Sequence, residues 1–299
     1  MPTDPPPAGP PWTVIGVLEW TAAYFKRHQL DHARGDADLL LAHVLGCRRI
    51  DLYLRHDQPL NEAELARFKL LVQRRAGREP VAYILGEKEF WSLPLTVTHD
   101  VLIPRPDTEC LVEQALAFLP EVAGDAPHRV LDLGVGSGAI TVALAHERPI
   151  HRFWASDASL RALRVARANA RRHHVDHLIH FFAGRWLDPV APDGQGFDLI
   201  VSNPPYVRRD EIARLAPEIR DYEPMAALDG GPQGVSEVAD IIAAAPAHMR
   251  PGARLLLEIG FDQRPAVEAL AQKSGAYDRI DFHKDYAGHY RVAQMRRRG

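Results

Sequence analysis

The chain has 299 residues, of which 46% are hydrophobic and 25% charged, proportions typical of folded globular proteins rather than disordered or fibrous ones. At about 150 residues per domain, this length predicts two domains, or one domain with a substantial attachment. The formal net charge is −3, and residues 1–90 carry as many acidic as basic side chains, so the charge balance does not favour bulk nucleic acid as a partner.

A proline-rich segment comes first and a helical region follows it. Residues 1–11 contain six prolines, a composition that buries too little apolar surface to order itself, so we expect a disordered head. Over residues 12–87 apolar side chains recur at helical spacing. Asn61 with Glu64 has the pattern of a capping box for one of these helices, which Gly77 ends. We expect a small helical domain here, which is either a structural extension or a unit that recognises a partner.

After the helical region, the spacing of apolar residues changes from a helical to a β-strand pattern. Residues 88–105 are rich in β-forming apolar side chains and include a His99–Asp100 turn, which predicts a β-hairpin linking two domains. Strands and helices alternate over residues 106–299. This alternation predicts an α/β domain with a mostly parallel sheet and helices on both faces, whose ligand lies at the carboxyl ends of the strands.

A glycine loop follows the first strand of the α/β domain. Glycines allow a tight turn and close approach to a ligand, and the next helix begins with free N–H groups. The loop also fits the dinucleotide pattern Gly-x-Gly-x-x-Gly/Ala, so by itself it leaves NAD open as the ligand. The candidate cofactor contacts in this loop are Gly134, Val135, Gly136, Ser137 and Gly138.

Two carboxylates help to choose between NAD and S-adenosylmethionine as the ligand of this loop. Asp157, at the end of the second strand, can accept both hydrogen bonds of a ribose diol, as in NAD and S-adenosylmethionine sites. Asp132 lies two residues before Gly134, where its charge would repel a pyrophosphate but suits the cationic amino-acid end of S-adenosylmethionine. Asp132 therefore favours S-adenosylmethionine, and a nucleotide-binding protein or NAD oxidoreductase stays the alternative.

The fourth strand leads into Asn203, Pro204, Pro205 and Tyr206. Two prolines cannot continue a central strand, so the chain leaves the sheet in a stiff turn. The side-chain carbonyl of Asn203 and the backbone carbonyl of Pro204 can accept both protons of an NH₂ group and orient its nitrogen towards a cofactor methyl. Tyr206 either packs against this flat group or makes a plain hydrophobic contact.

This turn is typical of amino-group methyltransferases, whose targets are adenine, cytosine, guanine or glutamine. Because the lone pair of an amide nitrogen is delocalised, we expect catalysis by orientation and by hydrogen bonds that strengthen as charge develops, without a dedicated general base. Arg105 and Glu109 lie one helical turn apart and predict a salt bridge at the pocket rim, with contact to the substrate as the alternative.

Neither a metal nor an oxidising compartment is indicated. The histidines form no set with the spacing of metal ligands, and Cys47 and Cys110 lie far apart, outside any Cys-x-x-Cys pair. The chain contains no apolar run long enough to span a membrane, and its first twenty residues do not resemble a signal peptide. We therefore expect a cytoplasmic protein without a bound metal.

Several separate segments, in the same order along the chain, resemble the PrmC/HemK family of release-factor glutamine methyltransferases. The chain departs from the family at Val135, where its members usually have threonine. The matching segments are residues 74–75, 80–86, 89–90, 102–109, 134–138, 203–206, 222–224, 227–228, 230–231 and 257–260.

The resemblance implies a fold and a reaction. The fold is a Rossmann-like, seven-stranded, mostly parallel S-adenosylmethionine-dependent methyltransferase sheet, joined through a β-hairpin to a small N-terminal helical domain. The reaction methylates N5 of the glutamine in the Gly-Gly-Gln motif of class-one peptide-chain release factors and leaves S-adenosylhomocysteine. The implied cofactor contacts are residues 134–138, Asp157, Trp186 and Asn203, and residues 203–206 would hold the glutamine. The role of Trp186 comes from the resemblance alone.

The resemblance also narrows the choice of partner. A related enzyme methylates a glutamine of a ribosomal protein, but its Pro-Arg-Ser-Pro segment is replaced here by Pro-Arg-Pro-Asp-Thr-Glu at residues 104–109. Together with residues 222–224, this favours the release-factor enzyme. A nucleic-acid amino-methyltransferase is the further alternative. We expect a monomer that acts on class-one release factors, docks them through its helical domain at residues 12–87, and binds neither nucleic acid nor membrane directly.

Overall fold

The structure is a computed structural model that describes residues 12–122, 126–191 and 194–299. The predicted disordered head, residues 1–11, lies outside the described residues. The chain divides into two compact units between Gly86 and Glu87. Each unit has its own hydrophobic core, and each is described by itself below.

The first unit is helical. The core of this unit includes the fully buried Phe25, Leu40 and Leu41. The predicted capping box is confirmed, because Asn61 Oδ1 accepts from the Glu64 amide and Glu64 Oε2 accepts from the Asn61 amide, both at 2.9 Å. Its helices are α1 (Val14–Arg27), α2 (Ala33–Leu45), α3 (Arg49–Leu54), α4 (Glu62–Ala76) and α5 (Val81–Leu85).

The second unit begins with an antiparallel hairpin of β1 (Glu87–Phe90) and β2 (Leu93–Thr96). The predicted turn and extent of this hairpin are wrong. The hairpin turn is Trp91–Ser92, with φ values of 53° and 58°, and the amide of Trp91 donates to Glu109 Oε1 at 3.0 Å. His99 and Asp100 form a separate turn, which the Val101 amide closes on the Thr98 carbonyl at 3.1 Å. Trp91–Ser92 lacks the Asn-Gly pair that normally marks such a turn, so the sequence pattern predicted the turn at His99–Asp100 instead.

Seven strands form the main sheet within the described residues. Their order across the sheet is β5-β4-β3-β6-β7-β9-β8; β9 runs antiparallel to both neighbours, and the other neighbouring pairs are parallel. The prediction of a mostly parallel sheet is therefore confirmed. The strands are β3 (Arg129–Leu133), β4 (Arg152–Asp157), β5 (Ile179–Ala183), β6 (Phe197–Ser202), β7 (Met249–Glu258), β8 (Tyr277–Lys284) and β9 (Tyr290–Arg297).

Helices cover both faces of this sheet. Strand residues alternate between the two faces: Val130 belongs to one core cluster, and Leu131 and Leu133 belong to the other. The first cluster packs residues of α6, α7 and α8, and the second packs residues of α10 and α11. The helices are α6 (Glu109–Phe118), α7 (Ala139–Glu147), α8 (Leu160–Arg172), α9 (Pro217–Arg220), α10 (Ser236–Ala244) and α11 (Arg264–Ser274).

The strand order reverses at β3. From this strand the chain first builds outward through β4 and β5 and then returns to add β6 on the other side. In open α/β sheets, ligands bind at the carboxyl ends of the strands beside such a reversal. The glycine loop follows β3, Asp157 ends β4, and Asn203 follows β6, so all three lie at this edge.

Candidate active site

The glycine loop makes a tight turn that only small residues fit. Gly134 and Gly138 have φ values of 72° and 87°, in the left-handed region. A Cβ on Gly134 would lie 3.1 Å from the ring of Trp186, and one on Gly138 would lie 3.2 Å from Cα of Ala166. The amides of Gly134 and Val135 both donate to the Ser156 carbonyl at 2.9 Å. The loop is therefore held against the end of β4, next to Asp157.

Asp157 is fixed by two backbone amides. Its Oδ2 accepts from the Gly136 amide at 2.9 Å, and its Oδ1 accepts from the Ser159 amide at 2.8 Å. Burial raises the pKa of this carboxyl, and the two amide bonds partly oppose that rise. Because each carboxylate oxygen has a second lone pair, both can still accept a hydrogen bond from a ligand hydroxyl.

Asp132 lies in β3, before the glycine loop, and does not line the cavity. The residue is 1% exposed, and its Oδ2 accepts from the hydroxyl of Thr141 at 2.5 Å. Its Oδ1 is buried and makes no hydrogen bond to any residue that the structure describes. Burial raises the pKa of Asp132 to about 7. Its expected proximity to the cationic end of a cofactor stays a prediction.

The Asn-Pro-Pro-Tyr turn presents Asn203 with a defined amide orientation. Asn203 Nδ2 donates to Thr108 Oγ1 at 3.1 Å, which leaves the side-chain carbonyl Oδ1 open as an acceptor. Tyr206 does not line the cavity: its hydroxyl donates to Glu258 Oε1 at 3.1 Å, and burial raises its pKa. Pro204, between Asn203 and Pro205, is buried.

Residues 228–234 support this turn from behind. The Val207 amide donates to the Leu228 carbonyl at 3.0 Å, and the Gly230 amide donates to the Val207 carbonyl at 2.9 Å. Gln263 Nε2 donates to the Tyr206 carbonyl at 2.8 Å. A Cβ on Gly230 would lie 2.8 Å from the Pro205 carbonyl oxygen, so the two segments are in direct contact.

The predicted salt bridge between Arg105 and Glu109 is wrong. Arg105 donates instead to Glu223, whose side chain is 1% exposed, and Glu109 accepts from the amide of Trp91. Arg105 precedes the short 3₁₀ turn Pro106–Thr108, while Glu109 begins α6, so the two residues do not share a helical face. The spacing rule for residues four apart therefore does not apply.

A cavity of about 800 Å³ joins most of these groups, a volume in the range of small-molecule sites. Trp186 has an unusual φ of 45°, and its Nε1 donates to Glu237 Oε2 at 2.6 Å. The predicted site residues on the cavity wall are Arg105, Gly134, Val135, Gly136, Ser137, Asp157, Trp186, Asn203 and Pro205. The predicted site residues away from this wall, as far as the described chain shows, are Glu109, Asp132, Gly138, Pro204 and Tyr206.

Several residues of the site were missed by sequence reasoning from residue types. Thr108 contacts Asn203 from 95 residues away, and Glu223 and Glu237 bind Arg105 and Trp186. Residues 224–227 also line the cavity. No local spacing marks these residues, although Thr108 and Glu223 fall within segments that carry the family resemblance.

Metal-binding clusters and membrane-spanning helices are both absent from the described residues. No group of three or more histidine, cysteine, aspartate or glutamate side chains in this part of the chain is placed to hold a metal ion. No helix in the same ranges is both long enough and apolar enough to cross a membrane.

The fold and site define a Rossmann-like methyltransferase. The model of the PrmC N-terminal domain matches residues 16–86, and the model of the methyltransferase small domain matches residues 112–219. The chain belongs to the release factor glutamine methyltransferase family. It is 43% identical to the release factor glutamine methyltransferase of Geobacter sulfurreducens, over 89% of this chain and 91% of that protein. It is 41% identical to the one of Vibrio cholerae, over 94% and 95%.

A solved structure is similar in fold. The crystal structure of a methyltransferase from Pyrococcus furiosus has a TM-score of 0.50 and 19% identity, and the match covers 69% of this chain and 89% of that chain. At this identity the likeness concerns the fold alone, and it agrees with the seven-stranded sheet within the described residues.

Proposed function

We propose that this enzyme transfers the methyl group of S-adenosylmethionine to N5 of the glutamine in the Gly-Gly-Gln motif of class-one release factors. Membership of the release factor glutamine methyltransferase family supports this function. The observation that carries the proposal is the hydrogen bond from Asn203 Nδ2 to Thr108, which leaves Asn203 Oδ1 as an acceptor on the wall of the cavity. The glycine loop lies on the wall of the same cavity.

The residues present fit S-adenosylmethionine. Gly134 and Gly136, both with positive φ and both on the cavity wall, leave the backbone there uncovered by their own side chains, and both oxygens of Asp157 can accept from ribose hydroxyls. The buried Asp132 Oδ1 lacks a partner among the described residues, and its negative charge would favour a cationic group nearby. When bound, the cofactor supplies a methyl group on a sulfonium sulfur.

The chain's own residues orient the substrate amide. Asn203 Oδ1, on the cavity wall, would accept one proton of the glutamine NH₂ group. The carbonyl of Pro204, although this residue is buried and does not line the cavity, is the proposed acceptor for the other proton, so that the face of the glutamine nitrogen points towards the cofactor methyl. As the nitrogen gains a bond it becomes more positive, and these two hydrogen bonds strengthen. One of the two protons then passes to solvent, which restores the neutral amide of the methylated product. Orientation of this kind supplies much of the rate in reactions of poor nucleophiles.

Another part of the cavity wall is proposed to receive the Gly-Gly-Gln loop. Arg105, Pro224 and Met225 line it, and Met225 is 51% exposed. Arg105 is held by Glu223, so its guanidinium has a fixed position at this wall. We assign the helical unit of residues 12–86 to docking the body of the release factor, while the α/β unit receives the glutamine.

The experiment is methyl transfer from labelled S-adenosylmethionine to a class-one release factor, a ribosomal protein and total RNA, tested side by side. We expect the label on the Gly-Gly-Gln glutamine, located by mass spectrometry. Label on the ribosomal protein or on RNA would overturn the choice of substrate. An Asn203→Ala control should lose roughly 10²- to 10³-fold in rate, as when one stabilising hydrogen bond is removed from the reacting group. A urea titration of Asn203→Ala checks that its fold is intact, since Asn203 is itself an implied cofactor contact.

A further inference from the structure

Glu237 reaches from α10 to the tryptophan beside the glycine loop. The residue is the second of α10, and its Oε2 accepts from Trp186 Nε1 at 2.6 Å, across 51 residues of sequence. The same oxygen accepts from Arg185 Nη2 at 2.9 Å. Glu237 and Trp186 both line the cavity of about 800 Å³. A carboxylate of the cavity wall is therefore engaged with two neighbouring residues of that wall.

The indole of Trp186 is held at both ends. At one end its N–H donates to Glu237. An indole has a single donor, so this is the one hydrogen bond that can orient the ring. At the other end, a Cβ on Gly134 would lie 3.1 and 3.6 Å from the ring atoms Cζ3 and Cη2. The ring thus spans the space between α10 and the glycine loop.

The backbone of Trp186 needs support from its surroundings. Its φ of 45° is in the left-handed region, which residues other than glycine rarely adopt unless neighbouring groups hold them there. The segment is tied to β4, because the Gly184 amide donates to the Asp157 carbonyl at 3.0 Å. Glu237 ties the same segment to α10. Loss of the Glu237 acceptor should therefore let the indole leave this position.

The start of α10 also contacts the segment behind the Asn-Pro-Pro-Tyr turn. The Ser236 amide donates to the Gly230 carbonyl at 3.0 Å, and the Gly230 amide donates to the Val207 carbonyl at 2.9 Å. Val207 directly follows the turn. Backbone hydrogen bonds thus fix the start of α10 on the proposed substrate side of the cavity, while the side chain of Glu237 holds Trp186 beside the glycine loop.

A second carboxylate on α10 offers an internal comparison. Asp240, three residues after Glu237, accepts from Arg185 Nη2 at 2.6 Å. The side chains of Arg185 and Asp240 are 50% and 55% exposed, and an ion pair in such a setting contributes little. Asp240 is not part of the cavity wall that the described residues form. Of these two carboxylates, only Glu237 accepts from the single N–H of the indole.

We propose that Glu237 is a positioning residue for the cofactor and acts through Trp186. By accepting from the indole N–H, it holds the ring against Gly134 before the cofactor arrives, so that the ring is a preformed wall for S-adenosylmethionine. The proposal rests on the proposed function, since that function assigns the cofactor to this cavity. Glu237 touches none of the reacting atoms in this account. A wall that is already ordered costs less to organise on binding, so the effect of Glu237 is on cofactor affinity.

The test compares three variants by calorimetric titration with S-adenosylhomocysteine. Glu237→Ala removes the acceptor, and we expect its Kd to rise about threefold to tenfold, as for the loss of one hydrogen bond. Glu237→Gln removes the charge but keeps a carbonyl oxygen for the indole, so its Kd should stay within about twofold of the wild type. Asp240→Ala is the matched control, because it removes a partner of Arg185 and leaves the indole bond in place. Its Kd should also stay within about twofold.

A double variant tests whether Glu237 acts through Trp186. Trp186→Phe already removes the indole donor, so adding Glu237→Ala to it should raise the Kd by less than about twofold. Multiplied, independent losses would overturn the action through Trp186. In methyl transfer, Glu237→Ala should raise the KM for S-adenosylmethionine by a factor similar to the rise in Kd, with a smaller change in kcat. An unchanged Kd in Glu237→Ala, or an equal rise in Asp240→Ala, would overturn the proposal.

A measurement without cofactor separates this proposal from the proposed function. The chain has five tryptophans, and the indole N–H signal of Trp186 in ¹⁵N spectra is assigned by its loss in Trp186→Phe. Its proton should exchange with solvent slowly in the wild type and in Asp240→Ala, and faster in Glu237→Ala. An unchanged rate in Glu237→Ala would overturn the proposal.

The wild type alone also provides a test, which decides even if Glu237→Ala fails to fold. Its Trp186 indole proton should exchange more slowly than that of Trp20, whose side chain is on the surface of the helical unit. Equal exchange rates for these two indoles would overturn the proposal. If the wild type fails to bind S-adenosylhomocysteine, the proposed function fails, while the exchange rates still test how Trp186 is held.

Discussion

Arg105 donates a hydrogen bond to Glu223, which lies 118 residues further along the chain. The Glu223 carboxylate is almost fully buried, and its second oxygen accepts from the Ile103 amide at 3.3 Å. Burial raises the pKa of Glu223, and Arg105 partly opposes that rise. The pair ties the segment before α6 to residues 222–227, and both segments contribute to the wall of the cavity.

Removing Arg105 should destabilise the enzyme, because a buried carboxylate is left without its partner. We expect Arg105→Ala to lower the free energy of unfolding by about 3 kcal/mol in urea titrations at pH 7. Adding Glu223→Gln should recover part of this loss, since no buried charge then remains. The deficit of the single variant should shrink as the pH is lowered, because a carboxyl with a raised pKa takes up a proton more readily than an exposed glutamate. A single variant as stable as the wild type at pH 7 would contradict the prediction.

Gly230 lies too close to the Asn-Pro-Pro-Tyr turn to carry a side chain. An added Cβ would lie 2.8 Å from both the Pro205 oxygen and Tyr206 Cα, so Gly230→Ala must displace the turn. We expect kcat to fall about 100-fold, as for a displacement near 1 Å, while S-adenosylhomocysteine still binds. Gly35→Ala is the control, because a Cβ there meets nothing within 4 Å. Equal kcat in both variants would show that the contact with Gly230 does not position the Asn-Pro-Pro-Tyr turn.

The buried Asp132 should make the stability of the cofactor-free enzyme depend on pH. Its pKa of about 7 in the folded protein lies above that of an exposed aspartate, so the folded state binds more protons between the two values. Its contribution to the free energy of unfolding is therefore largest below pH 4 and falls by about 1 kcal/mol per unit as the pH rises towards 7. Urea titrations at pH 5, 6 and 7 should show this slope, and Asp132→Asn should reduce it. Identical slopes in both proteins would exclude a raised pKa.

Trp186 should report on cofactor binding. Its ring lies against Gly134 and its Nε1 is held by Glu237, both on the wall of the proposed cofactor cavity. Titration with S-adenosylhomocysteine should change the intrinsic fluorescence of the wild type and of Trp20→Phe, whose exposed indole is in the helical unit. Trp186→Phe should lose this change, and its Kd should rise about threefold to tenfold, as for loss of an aromatic contact worth about 1 kcal/mol. A full signal in Trp186→Phe would remove Trp186 from the proposed site.

The parts of the site that sequence patterns predicted are those encoded by local stereochemistry. Glycines with positive φ, such as Gly134, and prolines that end a strand, such as Pro204, have direct backbone consequences. The alternation of strands and helices likewise predicted the mostly parallel sheet and the edge at which Asp157 and Asn203 both lie. For these features a short stretch of chain contains nearly all the physical information.

The parts that could not be predicted depend on residues far apart in sequence. Arg105 has an acidic residue at helical spacing, yet its partner is Glu223, because the turn before α6 changes the face on which Arg105 lies. Thr108 contacts Asn203 across 95 residues of sequence, and Glu258 contacts Tyr206 across 52 residues, which no spacing rule predicts. The hairpin turn at Trp91 depends on the carboxylate of Glu109, which lies 18 residues away.

The helical unit should matter for whole release factors and little for short peptides. Residues 12–86 have their own core, and residues 87–299 contain the complete cavity, so the second unit can be prepared alone. Deleting residues 1–86 should lower kcat/KM for an intact release factor about 100-fold or more, equivalent to roughly 3 kcal/mol of docking energy. The same deletion should change kcat/KM for a Gly-Gly-Gln peptide by less than about threefold. Binding of S-adenosylhomocysteine with unchanged affinity shows that the shortened protein is folded. Equal losses on the two substrates, with that binding intact, would mean that the helical unit does not dock the release factor.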